Sequence, residues 1–108
     1  DLAQALQGQH HYAESTTLYK QALELAPDEP VIHFNLGSLL LDLEKPEQAL
    51  PYLKAAVSLR PNYAKAWFNL ALVYIAAQQN DAARVTLLRL QALEPNYPGL
   101  NTELEKLR

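Results

Sequence analysis

Apolar and small residues return every three or four positions through most of the chain, and polar residues fill the gaps. His33, Leu36, Gly37 and Leu40 form one such series, and Trp67, Leu70, Ala71 and Tyr74 form another. That spacing puts each series on one side of a helix, which buries its stripe and leaves the rest to solvent. Ala, Leu, Gln, Glu and Lys fill the segments between prolines, glycine is scarce, and no Asn-Gly or Asp-Gly hairpin signal occurs, so the chain reads as all-α. The expected helices run from Pro30 to about Leu43, from Pro46 to Leu59, from about Tyr63 to Gln78 and from Asp81 to Leu93. Ahead of them, Asp1 to Gly8 and Tyr12 to Leu25 read as a clipped first pair. Behind them, Tyr97 to Leu107 reads as a lone helix with Leu100, Leu104 and Leu107 on one side.

The boundaries have local causes. Asn62 is expected to cap the helix toward Gln78, and Asn80 with Asp81 the helix toward Leu93. Pro30, Pro46 and Pro98 suit the first helical turn, where a missing N–H costs nothing. The pattern also repeats. Pro27, Pro61 and Pro95 lie 34 residues apart, each opening a similar phrase: APDEPVIHFNL, RPNYAKAWFNL and the weaker EPNYPGLNTEL.

In this register Trp67, Leu70, Ala71, Tyr74, Ala83, Leu87 and Pro95 follow one another at the spacing of a known signature, and His33, Leu36, Gly37, Leu40, Ala49, Leu53 and Pro61 echo it, with Ala56 a further small residue. Leu2, Ala3, Leu6, Ser15, Tyr19, Ala22 and Pro27 supply an earlier partial copy. The chain resembles the tetratricopeptide repeat family, whose unit is a helix–turn–helix of this length. The resemblance implies a right-handed superhelical stack of antiparallel helix pairs. It divides the chain into a truncated first repeat (1–29), a second repeat (30–63), a third (64–97) and a C-terminal capping helix (98–108) with a polar outer face.

Small residues in the signature have a packing reason. Gly37 or Ala71 on the first helix, facing Ala49 or Ala83 on the second, is expected to let two backbones approach closely. Three positions depart from the family pattern. His33 replaces the usual aromatic, Leu90 sits where a small residue is more usual, and Pro51 falls inside the second helix of its unit. Pro51 is only about a turn past the helix start, so a bend is expected there rather than a break.

Composition adds mainly exclusions. With 49% apolar residues the 108-residue chain can bury a core, and a net charge of −3 with scattered Lys and Arg gives no footprint for nucleic acid or an anionic membrane. The longest apolar run, Leu70 to Ala77, is too short to cross a bilayer, so a soluble protein without direct membrane insertion is expected. Cysteine is absent, which removes disulfides and thiolate metal sites and suits cytoplasm and periplasm alike. Methionine is absent too, and with no leader after Asp1 the chain reads as a piece of a longer polypeptide or a processed form. His10, His11 and His33 have no metal-ligand partners at suitable spacing, and Ser15, Ser38 and Ser58 lie in no nucleophile context. No catalytic residue, cofactor or metal is expected. His33 reads as a half-buried ring in an aromatic's slot.

The informative feature is a second stripe on the first helix of each unit. Val31, Phe34, Asn35, Ser38, Leu41 and Asp42 face away from the partner helix, as do Lys65, Phe68, Asn69, Leu72, Ile75 and Ala76. The resemblance implies that these helices line a concave channel holding an extended peptide or a partner's helix. Asn35 and Asn69 share one phase of consecutive units, and each amide offers both a donor and an acceptor to a peptide backbone. Phe34 and Phe68 either wall the channel or pack between neighbouring helices. The expected groove is therefore Phe34, Asn35, Ser38, Lys65, Phe68, Asn69 and Leu72.

Chaperone-binding members of the family hold a C-terminal carboxylate with five Lys, Asn and Arg residues. Asn35 and Lys65 match that clamp, but Gln4 stands for Asn and Asn69 for Arg, so that ligand is not expected. The leading reading is a non-catalytic module that binds a peptide or helix of another protein. The alternative is a structural segment of a longer scaffold in a bacterial secretion, envelope or polymer-export assembly, or a targeting domain of a larger enzyme. Self-association through the truncated N-terminal end, at Leu2 and Leu6, belongs to that alternative.

Overall fold

Prolines and two strained residues set most of the helix boundaries. The computed structural model describes the backbone of residues 2–107 and the side chains of residues 12–107. Readings placed on the side chains of Leu2, Ala3, Gln4, Leu6, His10 and His11 lie outside the described residues. The elements are α1 (Leu2–Leu25), α2 (Pro30–Asp42), α3 (Pro46–Leu59), α4 (Ala64–Ala76), α5 (Asn80–Leu93) and α6 (Leu100–Lys106), with no strand among the described residues. Pro30 and Pro46 open their helices as expected.

The turns inside α2–α3 and α4–α5 are copies of each other. Glu44 (φ 61°) and Gln78 (φ 62°) adopt the left-handed conformation. The next residue then returns a bond across the helix end: the Lys45 N–H donates to the Leu40 carbonyl at 2.9 Å, and the Gln79 N–H to the Tyr74 carbonyl at 2.8 Å. Those bonds satisfy carbonyls the helix itself leaves open, and they offset a left-handed residue that is neither Gly nor Asn.

Several sequence expectations need correcting. The clipped first pair is one helix, α1, because no proline or capping residue between Gly8 and Tyr12 interrupts it, and a single glycine costs only about 1 kcal/mol in a helix. Asn62 does not cap α4, whose N-cap is Tyr63. Asn80 does not cap α5, since it is already the first helical residue after Gln79, and neither N-cap makes a side-chain bond. The preceding turn shifts the first start by a residue: the Tyr63 N–H bonds the Arg60 carbonyl, spending Pro61 and Asn62 on the bend. The last helix begins at Leu100, not Tyr97, because Pro98 and a left-handed Gly99 (φ 85°) form a turn there. Pro51, by contrast, leaves α3 unbroken over Pro46–Leu59.

Each helix packs chiefly on its neighbours in the chain, giving a flat body of 39 × 36 × 22 Å. This is an all-α stack of helix pairs. Its core forms two clusters in series. Leu36, Leu40, Ala49, Leu53, Ala56, Ala66, Leu70 and Val73 fill the first, between α2, α3 and α4. Ala71, Ala83, Leu87, Leu90, Leu100 and Leu107 fill the second, between α4, α5 and α6. Leu90 is fully buried where a small residue is usual, because the next element is the short α6, and Leu100 of that helix and Leu107 just after it share its cluster. Gly37 is buried, but its close neighbour is Leu53 rather than Ala49. A Cβ added to Gly37 would lie 2.6 Å from Leu53 Cγ.

Candidate functional site: the first-helix stripe

Two aromatic slots fix the first helices of the complete pairs. His33 Nε2 lies 2.8 Å from the Pro27 carbonyl, and Trp67 Nε1 donates to the Pro61 carbonyl at 2.7 Å. Both bonds span six residues and lie 34 residues apart, so histidine performs the aromatic's polar task as an Nε2–H donor. Its Nδ1 is buried without a partner, and the ring rests 6.2 Å from that of Tyr52. Trp67 additionally carries the Arg89 guanidinium over its face at 5.7 Å.

The stripe itself separates into packing residues and residues with spare hydrogen-bonding capacity. Phe34 meets the Tyr63 ring at 5.0 Å, and Phe68 meets Tyr97 at 5.2 Å, both tilted. Each phenylalanine is half-buried and joins its unit to the start of the next. Gly99 completes the second contact, since a Cβ there would lie 3.1 Å from the Phe68 ring. Tyr63 and Tyr97 were not singled out from sequence, although the recurring Pro-Asn-Tyr at 61–63 and 95–97 marks them. Burial pushes the Tyr63 phenol above its ordinary value, against the Arg60 guanidinium 4.9 Å from the ring centroid and with Glu29. Burial raises Tyr97 likewise, and Glu94 adds to the effect.

Asn69 and Ser38 come together across neighbouring units. The Asn69 amide donates to Ser38 Oγ at 2.7 Å, and both side chains are half-buried. Ser38 finds no acceptor for its own hydroxyl hydrogen among the described residues, whereas Thr16, Thr17 and Thr86 each bond back to the carbonyl four residues before. The Asn69 carbonyl oxygen likewise has no donor among the described residues. The pair thus presents at least one donor and one acceptor, and would do so with the amide turned over as well. Asn35 is half-buried and has no side-chain partner among the described residues, Leu72 is half-buried, and Lys65 is exposed.

No group of three His, Asp or Glu residues able to hold a metal lies together among the described residues, and no described helix is long and apolar enough to cross a membrane.

Models of the tetratricopeptide repeat match residues 40–102, 18–50 and 1–26. Among curated proteins, the chain is 34% identical over 85 residues to the protein O-mannosyl-transferase TMTC3 of Homo sapiens, covering 78% of this chain and 9% of that protein. It is 41% identical to TMTC1 of Mus musculus over 92% of this chain and 11% of that one, and 28% identical to the inactive peptidyl-prolyl cis-trans isomerase FKBP6 of Rattus norvegicus, over 92% and 35%. The chain therefore spans about a third or less of the length of these relatives. Among solved structures, the first TPR of Spaghetti (RPAP3) bound to the HSP90 peptide SRMEEVD superposes with a TM-score of 0.86 at 29% identity, over 93% of this chain and 79% of that one. The crystal structure of MamA gives 0.87 at 23% identity, over 99% and 63%, a likeness of fold. With its paired helices, its ring-to-carbonyl bonds at a 34-residue interval and its family matches in agreement, the chain belongs to the tetratricopeptide repeat family.

Proposed function

We propose that the chain is a non-catalytic interaction module that holds an extended peptide or helix of another protein along the stripe of Asn35, Ser38, Lys65, Asn69 and Leu72. The observation that carries this reading is the Asn69–Ser38 bond. It leaves a hydroxyl and an amide oxygen with unused capacity at a half-buried surface. A peptide unit needs one acceptor for its N–H and one donor for its C=O, and the pair offers both regardless of the peptide's side chains. Phe34 and Phe68 serve mainly to join the units, and they support the groove rather than grip its occupant. The peptide-bound RPAP3 neighbour supports the general class of partner. Its peptide is a poor candidate here, because Asn69 stands where the carboxylate clamp needs Arg.

A short ligand in an open groove loses conformational freedom, so micromolar affinity, about −8 kcal/mol, is the expectation. The test is selection from a displayed library of random peptides. Asn35→Ala combined with Asn69→Ala should lose the peptides recovered by the parent chain while retaining its helical circular dichroism. Equal recovery by the double variant would refute the groove.

A second reading has its own support. Leu18 and Leu25, seven residues apart on one face of α1, are exposed to 64% and 89%. Such a face suits a further helix or a second copy, as in a scaffold segment of a larger protein. Sedimentation that does not change with concentration would argue against self-association.

A further inference from the structure

A cleft of about 490 Å³ opens where α1 meets the turn between α2 and α3, and its walls include none of the stripe residues. Its apolar side comes from Ala13 on α1 and from Leu40 and Leu43 at the end of α2. Lys20 approaches from α1, and Lys45 and Gln48 from the start of α3.

One position of the repeat differs in reach from helix to helix beside this space. Thr16, Leu50 and Arg84 occupy the same place, 34 residues apart, in α1, α3 and α5. Leu50 packs onto the first core cluster. Arg84 reaches across to donate to the Leu107 carbonyl at 2.6 Å. Thr16 is shorter and turns its hydroxyl back to the Tyr12 carbonyl at 2.9 Å, so it does not cross the corresponding gap.

Two ammonium groups border the gap. Glu24, Glu44 and Glu47 are close to them in sequence, yet neither Lys20 nor Lys45 forms an ion pair with another described residue, unlike Arg84 with Asp81 and Lys106 with Glu103. Two ammonium groups on different elements, beside an apolar wall, suit an anion carried on an apolar body. The charge gains donors, and the body leaves water.

We propose that this cleft binds a carboxylate borne on a short apolar chain. The acid group lies between Lys20 and Lys45 with the Gln48 amide in reach, and the chain lies against Ala13, Leu40 and Leu43. Such a group belongs to a free carboxylic acid or to an acidic side chain of a polypeptide. The site is independent of the peptide stripe.

Amide shifts of the ¹⁵N-labelled full chain test it, with sodium hexanoate, hexan-1-ol and the blocked tripeptide Leu-Glu-Leu as probes. Hexanoate should shift the amides of Ala13, Thr16, Leu43, Lys45 and Gln48 saturably, with a dissociation constant on the order of 1 mM. Hexan-1-ol should bind about tenfold more weakly, and Lys20→Ala with Lys45→Ala should weaken hexanoate about tenfold. Thr16→Leu, which fills the gap as Leu50 does, should abolish binding while raising the thermal midpoint, so loss of binding there is not loss of fold. Saturation by hexanoate alone marks a free acid as the source, and saturation by the tripeptide marks a polypeptide. Cleft amides unmoved by hexanoate and by the tripeptide alike, undiminished binding by Thr16→Leu, or an alcohol as tight as the acid would overturn the proposal.

Discussion

The helix pairs α2–α3 and α4–α5 share one frame and differ in what fills it. In both, a ring of the first helix bonds the carbonyl of the preceding proline, a phenylalanine meets a tyrosine of the next unit, and a left-handed residue makes the turn. Yet the first pair has His33, Gly37 and Ser38 where the second has Trp67, Ala71 and Leu72. Bonds to the backbone are kept, whereas side-chain volume is traded between positions. Gly37 admits Leu53 closely. Ser38 gives up an apolar contact at the junction and keeps hydrogen-bonding groups near the surface, which is where the proposed grip lies.

The largest test of that comparison is truncation of the two rings. Trp67→Ala should cost about 3 kcal/mol, since it removes a large half-buried ring together with its bond, while His33→Ala should cost about 1 kcal/mol. Urea denaturation of both variants checks the ratio, and equal costs would mean the two slots are not doing the same job with different volume. Next comes the helix crossing. Gly37→Ala should destabilise by roughly 1 to 3 kcal/mol and be partly rescued by Leu53→Val, because the added methyl meets Leu53 Cγ. Ala71→Gly should cost about 1 kcal/mol with no such coupling.

Smaller effects probe what the pairs share. Glu44→Gly and Gln78→Gly should each raise stability by about 0.5 to 1 kcal/mol, and by similar amounts, since both remove a side chain from a left-handed turn residue. The tyrosines set an alkaline limit. Folding raises the Tyr63 and Tyr97 phenols above the ordinary value of 10.0, so each folded phenol holds its proton more tightly than the unfolded one. Their contribution is therefore complete below about pH 10 and is lost as pH climbs through the raised values. Thermal melts from pH 9 to pH 11 should fall for the parent chain and fall less for Tyr63→Phe with Tyr97→Phe.

Much of this was legible from sequence because the determinants are local or periodic. Pro30 and Pro46 set helix starts through their own geometry, and the buried series from Leu36 to Leu87 follows from spacing alone. Competing local effects hid other features. Asn62 has the chemistry of a cap but sits inside a turn, and Glu44 and Gln78 are left-handed without the glycine that usually announces it. The long α1 is hidden in the sequence because the family pattern implies a turn that its residues do not enforce. The contacts within the stripe were less legible than its helices. Asn69 was expected to work with Asn35, whereas it bonds Ser38, one turn farther along α2, a contact set by how two helices cross. Phe34 and Phe68 could not be assigned from phase alone, because a wall residue and a junction residue occupy the same side of a helix.

The most direct measurement compares a selected peptide with versions N-methylated at successive backbone amides, against the parent chain and Ser38→Ala with Asn69→Ala. For the parent chain, one central methylation should weaken binding by about tenfold, the value of a lost hydrogen bond to a partly buried acceptor. For the double variant, the starting affinity should be lower and that methylation should have no further effect. An identical methylation profile in both chains would contradict the claim that this pair reads the peptide backbone.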